Sequence, residues 1–342
     1  MNRRTAILGL SALSGMASGC SIPQMPVVGP IQTKATPPPI GVDLNNVTNA
    51  TGAATALGAT DMRFNLQVAG GASTADAQAA AALGFHIVAH YFNGGVVVTD
   101  PAAWAAALAT SFTTFKPTLA AIDNEENDTF NAYTIAQYRA MITAAAPVAA
   151  AAGVPLTNGG LTSLGVSLAL WDYYWTTGQT TLADAFALRT LIAGVNPIGD
   201  LYLDLPTTAN PGAPILGSHP NQLTTMQSVQ SLTAFYRTAG LSYVNIHLFN
   251  MFSDDVRAIC QWAAMAAGLP VVCTAVGMNE TDGQSAISAT AGCIQGGARR
   301  IIYFAKDGTG GGAAYGLVNS DGTIRPNGTA WAAFLAAQGL VR

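Results

Sequence analysis

The sequence predicts an α/β fold: eight βα units closed into a (β/α)8 TIM barrel, with an insertion between the fifth and sixth units. Three observations lead there. Short β-type runs alternate with Ala-rich helical runs from residue 40 to the end. Several β-type runs are apolar throughout, as in Pro270-Val271-Val272-Cys273, which suits parallel strands covered on both faces. The alternation extends over about 300 residues, and such a barrel takes ~250 before insertions. A doubly wound sheet shares the alternation, but the first βα turn has no Gly-x-Gly-x-x-Gly and no phosphate loop occurs.

The elements follow in order. Strands are expected over 40–44 and 60–66. A helix over 74–83 starts after Ser73 and ends at Gly84, leading into a strand over 86–92. Asp100-Pro101 opens a helix over 101–115, because Pro at the first helical position loses no hydrogen bond. A strand over 118–124 follows. A helix over 134–152 then ends at Gly153 before a strand over 154–158. A helix over 182–193 stops at Gly194. Residues 197–222, rich in Pro, Gly and Asn, form the insertion, and 201–205 within it is a ninth strand-like run that suits a hairpin or lid. Strand 243–248 precedes a helix over 254–267, which starts at Ser253-Asp254 and ends at Gly268. Strand 270–274, helix 284–295 and strand 300–304 complete the alternation. Arg325-Pro326 leads into a last helix, where Trp331 is expected to pack.

The chain has 342 residues and half of them are apolar, so it can bury a large core. Charged residues make up only 9%, against about 25% in a typical soluble domain. The net charge is −4, with no basic surplus to neutralise phosphates, which argues against a nucleic-acid partner. No apolar run reaches the ~18–20 residues of a membrane span. Residues 1–19 read as an export signal of lipoprotein type: Arg3 and Arg4 precede a short apolar run. The run ends Ala17-Ser18-Gly19-Cys20, which resembles a lipobox, with Cys20 as the lipidated residue. An ordinary cleaved signal is the alternative, and Arg3-Arg4 also resembles a twin-arginine signal. Residues 20–39 hold six prolines and read as an extended tether. Residues 40–342 are the single barrel domain. The expected location is the bacterial cell envelope, periplasm or outer membrane, with membrane contact through the lipid anchor only.

Only three of the acidic residues are Glu: Glu125, Glu126 and Glu280. Two of them fall where the fourth strand ends, in Ile122-Asp123-Asn124-Glu125-Glu126-Asn127, and catalytic groups of a barrel sit at such strand ends. Asn124-Glu125-Glu126-Asn127 resembles the Asn-Glu-Pro-Asn motif of retaining clan-A glycoside hydrolases. The resemblance implies that Glu125 is the general acid/base, a carboxylic acid kept protonated near neutral pH to protonate the leaving oxygen. It implies that Asn124 contacts the sugar 2-hydroxyl. Glu126 takes the family's Pro position and, as the next residue along a strand, is expected on the opposite face. Met62-Arg63-Phe64 resembles the second-strand segment whose Arg, here Arg63, supports the nucleophile's carboxylate. Gly159-Gly160-Leu161-Thr162-Ser163 resembles the fifth-strand end. Asn245-Ile246-His247-Leu248-Phe249 resembles the sixth-strand His-x-Tyr, with His247 at the His and Phe249 at the Tyr. Residues 315–322 resemble the loop after the eighth strand.

The seventh strand departs from the family. Where the family has Thr-Glu-x-Gly with a nucleophilic Glu, this chain has Thr274-Ala275-Val276-Gly277. A methyl group attacks no anomeric carbon. The change at Phe249 is consistent with it, because a Tyr hydroxyl deprived of its carboxylate partner would need another acceptor. Glu280 is the candidate second carboxylate, with Asp307 and Asp204 behind it. Carboxyls ~5–5.5 Å apart would retain configuration and ~6.5–9.5 Å apart would invert it. Glu280 also reads as a solvated carboxylate near a helix start. The resemblance therefore implies a glycoside-hydrolase-like protein acting on or binding a carbohydrate; the alternative is a non-hydrolytic glycan-binding or structural lipoprotein.

The remaining candidates are aromatic, histidine and cysteine side chains. Trp171 and Trp175, in Trp171-Asp172-Tyr173-Tyr174-Trp175, either stack on sugar rings at the cleft rim or pack a helix against the barrel. Phe92 and Asn93 are placed to line the cleft. Asp43 reads as a substrate contact or a turn residue. His86, His90, His219 and His247 are too scattered for a local metal motif, and neither a metal nor a cofactor is expected. Cys260, Cys273 and Cys293 read as small buried apolar residues or as one disulfide, Cys260 with Cys293, plus a free thiol.

Overall fold

The computed structural model describes residues 37–341 apart from 46, 69–72, 94, 129–130, 193–203, 279–282 and 306–315. The export signal, Cys20 and most of the tether lie outside the described residues, as do Gly194, Glu280 and Asp307. Eight strands form one parallel sheet: β1 (Ile40–Asp43), β2 (Asp61–Asn65), β3 (His86–Tyr91), β4 (Leu119–Ile122), β5 (Leu156–Asn158), β6 (Val244–Phe249), β7 (Val271–Gly277) and β8 (Ile301–Phe304). Their order is β5-β4-β3-β2-β1-β8-β7-β6, and isolated parallel bridges from Thr157 to Tyr243 and from Leu161 to Ile246 bring the two ends together. The result is a nearly closed TIM-type barrel. Its interior is filled rather than hollow, with Val88, Leu119, Val272 and Ile302 in mutual contact inside.

The expected strands are all present. The helices between them are α1 (Ala50–Ala56), α2 (Ser73–Ala82), α3 (Pro101–Phe115), α4 (Ile135–Ala152), α5 (Ser163–Thr176), α6 (Thr180–Phe186), α7 (Pro220–Tyr236), α8 (Ser253–Ala267), α9 (Gln284–Gln295) and α10 (Pro326–Ala337). Asp100 caps α3 as the sequence reads, whereas α8 starts after Phe252 with no side-chain cap bond. Asp100 accepts from the Ala103 amide, and Thr134 with Gln137 forms a reciprocal capping box. Gly153 ends α4 at φ 66°, where a side chain would be strained. Among the described residues, no helix is long and apolar enough to cross a membrane.

The fifth unit differs most from expectation. Instead of one helix over 182–193, it has α5, then α6 running into a π-helical turn at Ala187–Ile192. After the insertion, α7 leads into β6. In the strand-like run 201–205 the first three residues lie outside the described set, and neither Asp204 nor Leu205 is in a strand. Asp204 is occupied within the insertion: its carbonyl accepts from Leu216, and its carboxylate takes the Ser218 amide and pairs with His219 at 3.1 Å.

The seam between β5 and β6 is completed by side chains. Asn158 Oδ1 accepts from the Asn245 amide at 2.6 Å, and its Nδ2 donates to the Asn245 carbonyl at 2.9 Å. Asn245 repeats the arrangement one strand on, where the β6–β7 register shifts. Its Oδ1 accepts from the Thr274 amide at 3.0 Å, and its Nδ2 donates to Thr274 Oγ1 at 2.6 Å. All three residues are fully buried, so no water stands ready to replace these bonds. At the N-terminal ends of the strands, Asp61 takes Arg300 at 2.8 Å and His86 at 3.0 Å, tying β2, β3 and β8 together.

Replacing Asn158 by Ala strands the buried Asn245 N–H and takes a donor from Glu126, while the Asn245 carbonyl keeps the Leu161 amide. Asn158→Ala is expected to lower the unfolding free energy by about 2–4 kcal/mol, whereas Asn221→Ala, at an exposed position, changes it by less than about 0.5. Urea titration of the two variants checks this; equal midpoints would show that the seam does not depend on the side chain.

Candidate functional site

Of the residues expected at the C-terminal ends of the strands, Glu125, His247 and Arg63 are linked through one network that includes Thr274. Arg63 on β2 is buried, and its Nη1 donates to the Thr274 carbonyl at 2.8 Å. Its Nη2 donates to His90 Nδ1 at 2.8 Å, and its Nε lies 3.7 Å from Asp43 Oδ2. His247 on β6 spans from Thr274 Oγ1, 3.3 Å from Nε2, to Glu125 Oε1, 3.1 Å from Nδ1. Asp43 is neither a turn residue nor an open contact: it is buried, with Oδ1 held by the Asn45 side chain at 2.6 Å.

These partners set the direction of every proton in the row. Asn245 Nδ2 donates to Thr274 Oγ1, which leaves the Thr274 hydroxyl proton to point at His247 Nε2. His247 then carries its proton on Nδ1 and donates it to Glu125. The ring fits only because residue 160 is Gly: at φ 118° a Cβ there would overlap the His247 imidazole. The backbone around Glu125 is also unusual. Asp123 and Glu125 both adopt positive φ, at 63° and 49°, which non-Gly residues rarely do. Two bonds hold the turn, from the Asp128 amide and the Asn131 side chain to the Glu125 carbonyl, at 2.7 and 2.9 Å. Held strain of this kind concentrates where a side chain must be aimed. Asn124 lies half-buried beside Glu125.

The electrostatics differ from those of a general acid. Burial pushes the Glu125 carboxyl up, but the His247 hydrogen bond and the Arg63 charge outweigh it and hold it below the usual carboxylate range. Burial keeps His247 neutral against the pull of Glu125, and it keeps His90 neutral with help from Arg63. Glu125 is therefore an ionised acceptor at neutral pH, not the protonated acid that the resemblance implies. Among the described residues no second carboxylate raises it. At the position expected for that group, Ala275 presents a buried methyl. Phe249 and Phe304, at the ends of the strands flanking β7, meet edge to face at 5.9 Å.

Other expected residues fall elsewhere. Trp171 is fully buried in α5 with its ring stacked 6.1 Å from Trp175, which is half-buried. Trp171 is thus helix packing and cannot reach a sugar. Phe92 is half-buried beside His90, with ring centroids 6.3 Å apart. Trp331 packs in α10 on Tyr303, as expected. The candidate second carboxylates Glu280 and Asp307 lie outside the described residues. His90, Thr274, Asn158 and Asn245 were not singled out as site residues from the sequence. Their signal was available: each is a polar residue inside an otherwise apolar strand, and such a residue needs a buried partner.

Glu126, one residue along, has a different environment. Its Oε1 accepts from the Tyr236 hydroxyl and from Asn158 Nδ2, both at 2.6 Å, on the α7 side of the barrel wall. Tyr138 completes this layer by donating to the Ile122 carbonyl. Burial raises the Glu126 carboxyl to about 7 and Asp123 to about 6. Glu126 Oε2 and Asp123 Oδ2 are buried without a hydrogen-bond partner among the described residues.

No family model and no curated protein sequence matches the chain. Solved structures do match. A GH5_18 protein from Streptomyces cattleya, in complex with GlcNAc, has a TM-score of 0.55 at 12% identity, over 88% of this chain and 80% of that one. An exo-β-1,4-mannosidase from an Opitutaceae bacterium has a TM-score of 0.52 at 13% identity over 88% of this chain; the match spans only 59% of the mannosidase. An active-site mutant of a Rhizomucor miehei β-1,3-glucanosyltransferase, in complex with laminaritriose, has a TM-score of 0.50 at 12% identity, over 84% and 96%. The chain thus has the fold of clan-A (β/α)8 glycoside hydrolases, at low sequence identity.

The acid layer behind β4 gives stability a pH dependence. Asp123 and Glu126 hold their protons more tightly folded than unfolded, where such groups titrate near ~4. Their contribution is complete below about pH 4 and is lost as the pH rises through about 6 and then about 7. The melting temperature is expected to fall between about pH 5 and about pH 8, and Glu126→Gln is expected to flatten that fall. An unchanged slope in the variant would remove Glu126 as its source.

Proposed function

We propose that the barrel binds a carbohydrate without hydrolysing it, with Glu125 as the acceptor carboxylate of the site. The observation that carries this reading is the state of Glu125: ionised, held by His247, with Ala275 where a second acid would stand. Retaining hydrolysis needs a proton donor and a second carboxyl ~5–5.5 Å away. Asp43 is the other carboxyl whose charge reaches both Arg63 and His247, and it is already held by Asn45 and Arg63. An ionised carboxylate accepts well from sugar hydroxyls, at about 1.5–3 kcal/mol per bond to a charged group. Asn124 beside it offers a donor and an acceptor. Phe92, Phe249 and Phe304, all half-buried at strand ends, offer apolar ring faces in place of Trp171. Trp175 is left out of this reading because it pairs with Trp171. The fold likeness supports the ligand class, since two of the neighbours carry GlcNAc and laminaritriose.

The reading places the protein outside the cytoplasm. Its support is the sequence of residues 1–20 and the proline-rich 20–39, which at ~3.1 Å per residue reaches up to ~60 Å from a membrane. Cys20 is then the lipid-bearing residue. In cells, Cys20→Ser is expected to move the protein from the membrane fraction to the soluble one; an unaltered distribution would rule out this anchor.

Calorimetry against β-linked oligosaccharides, laminaritriose and β-1,4-mannotriose first, tests the site. Binding is expected in the natural chain, and Glu125→Gln is expected to weaken it by about 10-fold or more, which corresponds to about 1.4 kcal/mol. Hydrolysis is expected only in Ala275→Glu, where the added carboxylate stands beside Arg63 and raises Glu125. Turnover by the natural chain that Glu125→Gln abolishes would overturn the non-hydrolytic reading and make the protein a hydrolase.

A further inference from the structure

We infer that Cys260, Cys273 and Cys293 form a three-sulfur site for Cu(I). The three come from consecutive elements, α8, β7 and α9, and all are fully buried and free. Their sulfurs lie within 4.8 Å of one another, with Cys260 and Cys273 3.8 Å apart. Three sulfurs bound at ~2.3 Å around one metal in a plane are ~4.0 Å apart, so the thiols already stand at ligand spacing. Chain spacing gives no hint of this, because no two of the cysteines share a local motif.

The cluster is held together by a close helix approach. Gly292 and Gly296 flank Cys293 in sequence. A Cβ on Gly292 would lie 2.6 Å from the Ser253 carbonyl, and one on Gly296 would lie 2.5 Å from Cys260 Cβ. Both glycines let α9 press onto α8 at the level of the sulfurs. Any side chain there would part Cys293 from Cys260.

The donor set selects the ion. Thiolates favour Cu(I), zinc and iron–sulfur clusters. Structural zinc takes four ligands and iron–sulfur clusters are held by four cysteines. Among the described residues no His, Asp or Glu joins the three sulfurs. A three-coordinate soft ion remains. Cu(I) binds thiolate sulfur, so the thiol protons it displaces leave to solvent as the ion enters. Cys273 precedes Thr274 on β7, so this site and the Glu125 site share a strand without sharing a residue.

The test uses the full chain, reduced and free of oxygen, with Cu(I) supplied as its bicinchoninate complex. The folded chain and a chain refolded with the complex present are both measured, since the sulfurs are buried. Uptake of one Cu(I) per chain by either form is expected, with an X-ray absorption shell of three sulfurs at ~2.3 Å. Cys293→Ala and Cys260→Ala, checked for fold by circular dichroism, are expected to lose the uptake. Failure of both forms to withdraw Cu(I) would overturn the site. So would uptake that persists in Cys293→Ala and disappears in Cys20→Ser, which would assign the ion to the N-terminal thiol. The absorption shell is read on the unsubstituted chain, so it decides the matter even where a variant fails to fold.

Discussion

The barrel closes where its backbone ladder gives out, and a row of buried amide and hydroxyl groups makes up the difference. Asn158 bonds both polar groups of the Asn245 backbone, and Asn245 bonds the amide and hydroxyl of Thr274. The rest of the site hangs from the end of that row. Thr274 directs its proton to His247, His247 directs its own to Glu125, and the Thr274 carbonyl anchors Arg63. Closure and site geometry are therefore one network. A site positioned by groups that are themselves locked by packing holds its geometry without relying on loops. It also has little tolerance, since each member satisfies a buried partner.

The change at residue 275 is electrostatic before it is chemical. Two carboxylates facing each other raise one another's proton affinity, and a hydrolytic pair uses that to keep one of them protonated. With Ala275 in place, no carboxylate among the described residues adds to the upward push of burial, and Arg63 and His247 outweigh that push and leave the Glu125 carboxyl ionised. A methyl at residue 275 supplies neither a nucleophile nor a charge that would raise Glu125. The surroundings fit an apolar neighbour: Phe249 carries no hydroxyl and packs on Phe304. Arg63 is not left with an uncompensated charge, because Asp43 and the Thr274 carbonyl receive it.

Glu125 and Glu126 are adjacent in sequence and opposite in character. The left-handed backbone at Asp123 and Glu125 sends one carboxyl to His247 inside the barrel and leaves the other with Tyr236 outside it. The first has a cationic neighbour and stays ionised. The second has only hydroxyl and amide donors in a dry layer, and burial lifts it to about 7. Environment, not residue type, sets the charge of each.

Much of this was readable along the chain. Strands such as Val271–Gly277 announce themselves as short apolar runs, and helix ends at Gly153 and Gly268 are local backbone chemistry. Asn124, Glu125, Arg63 and His247 were legible as a set because the segments that carry them resemble, in chain order, the motifs of clan-A glycoside hydrolases. Helix α5 was not, because it is buried on nearly every side and shows no polar face to give it a period. For the same reason Trp171 reads equally as a rim aromatic or a core one, and only packing places it in the core. The convergence of Cys260, Cys273 and Cys293 and the ionised state of Glu125 depend on distances between residues far apart in sequence. The sequence by itself determined the alternation of elements and which residue types reach the strand ends, since periodicity and caps act over a few residues. Tertiary structure alone decided which groups touch and which carry charge, because burial and Coulomb interactions depend on neighbours in space.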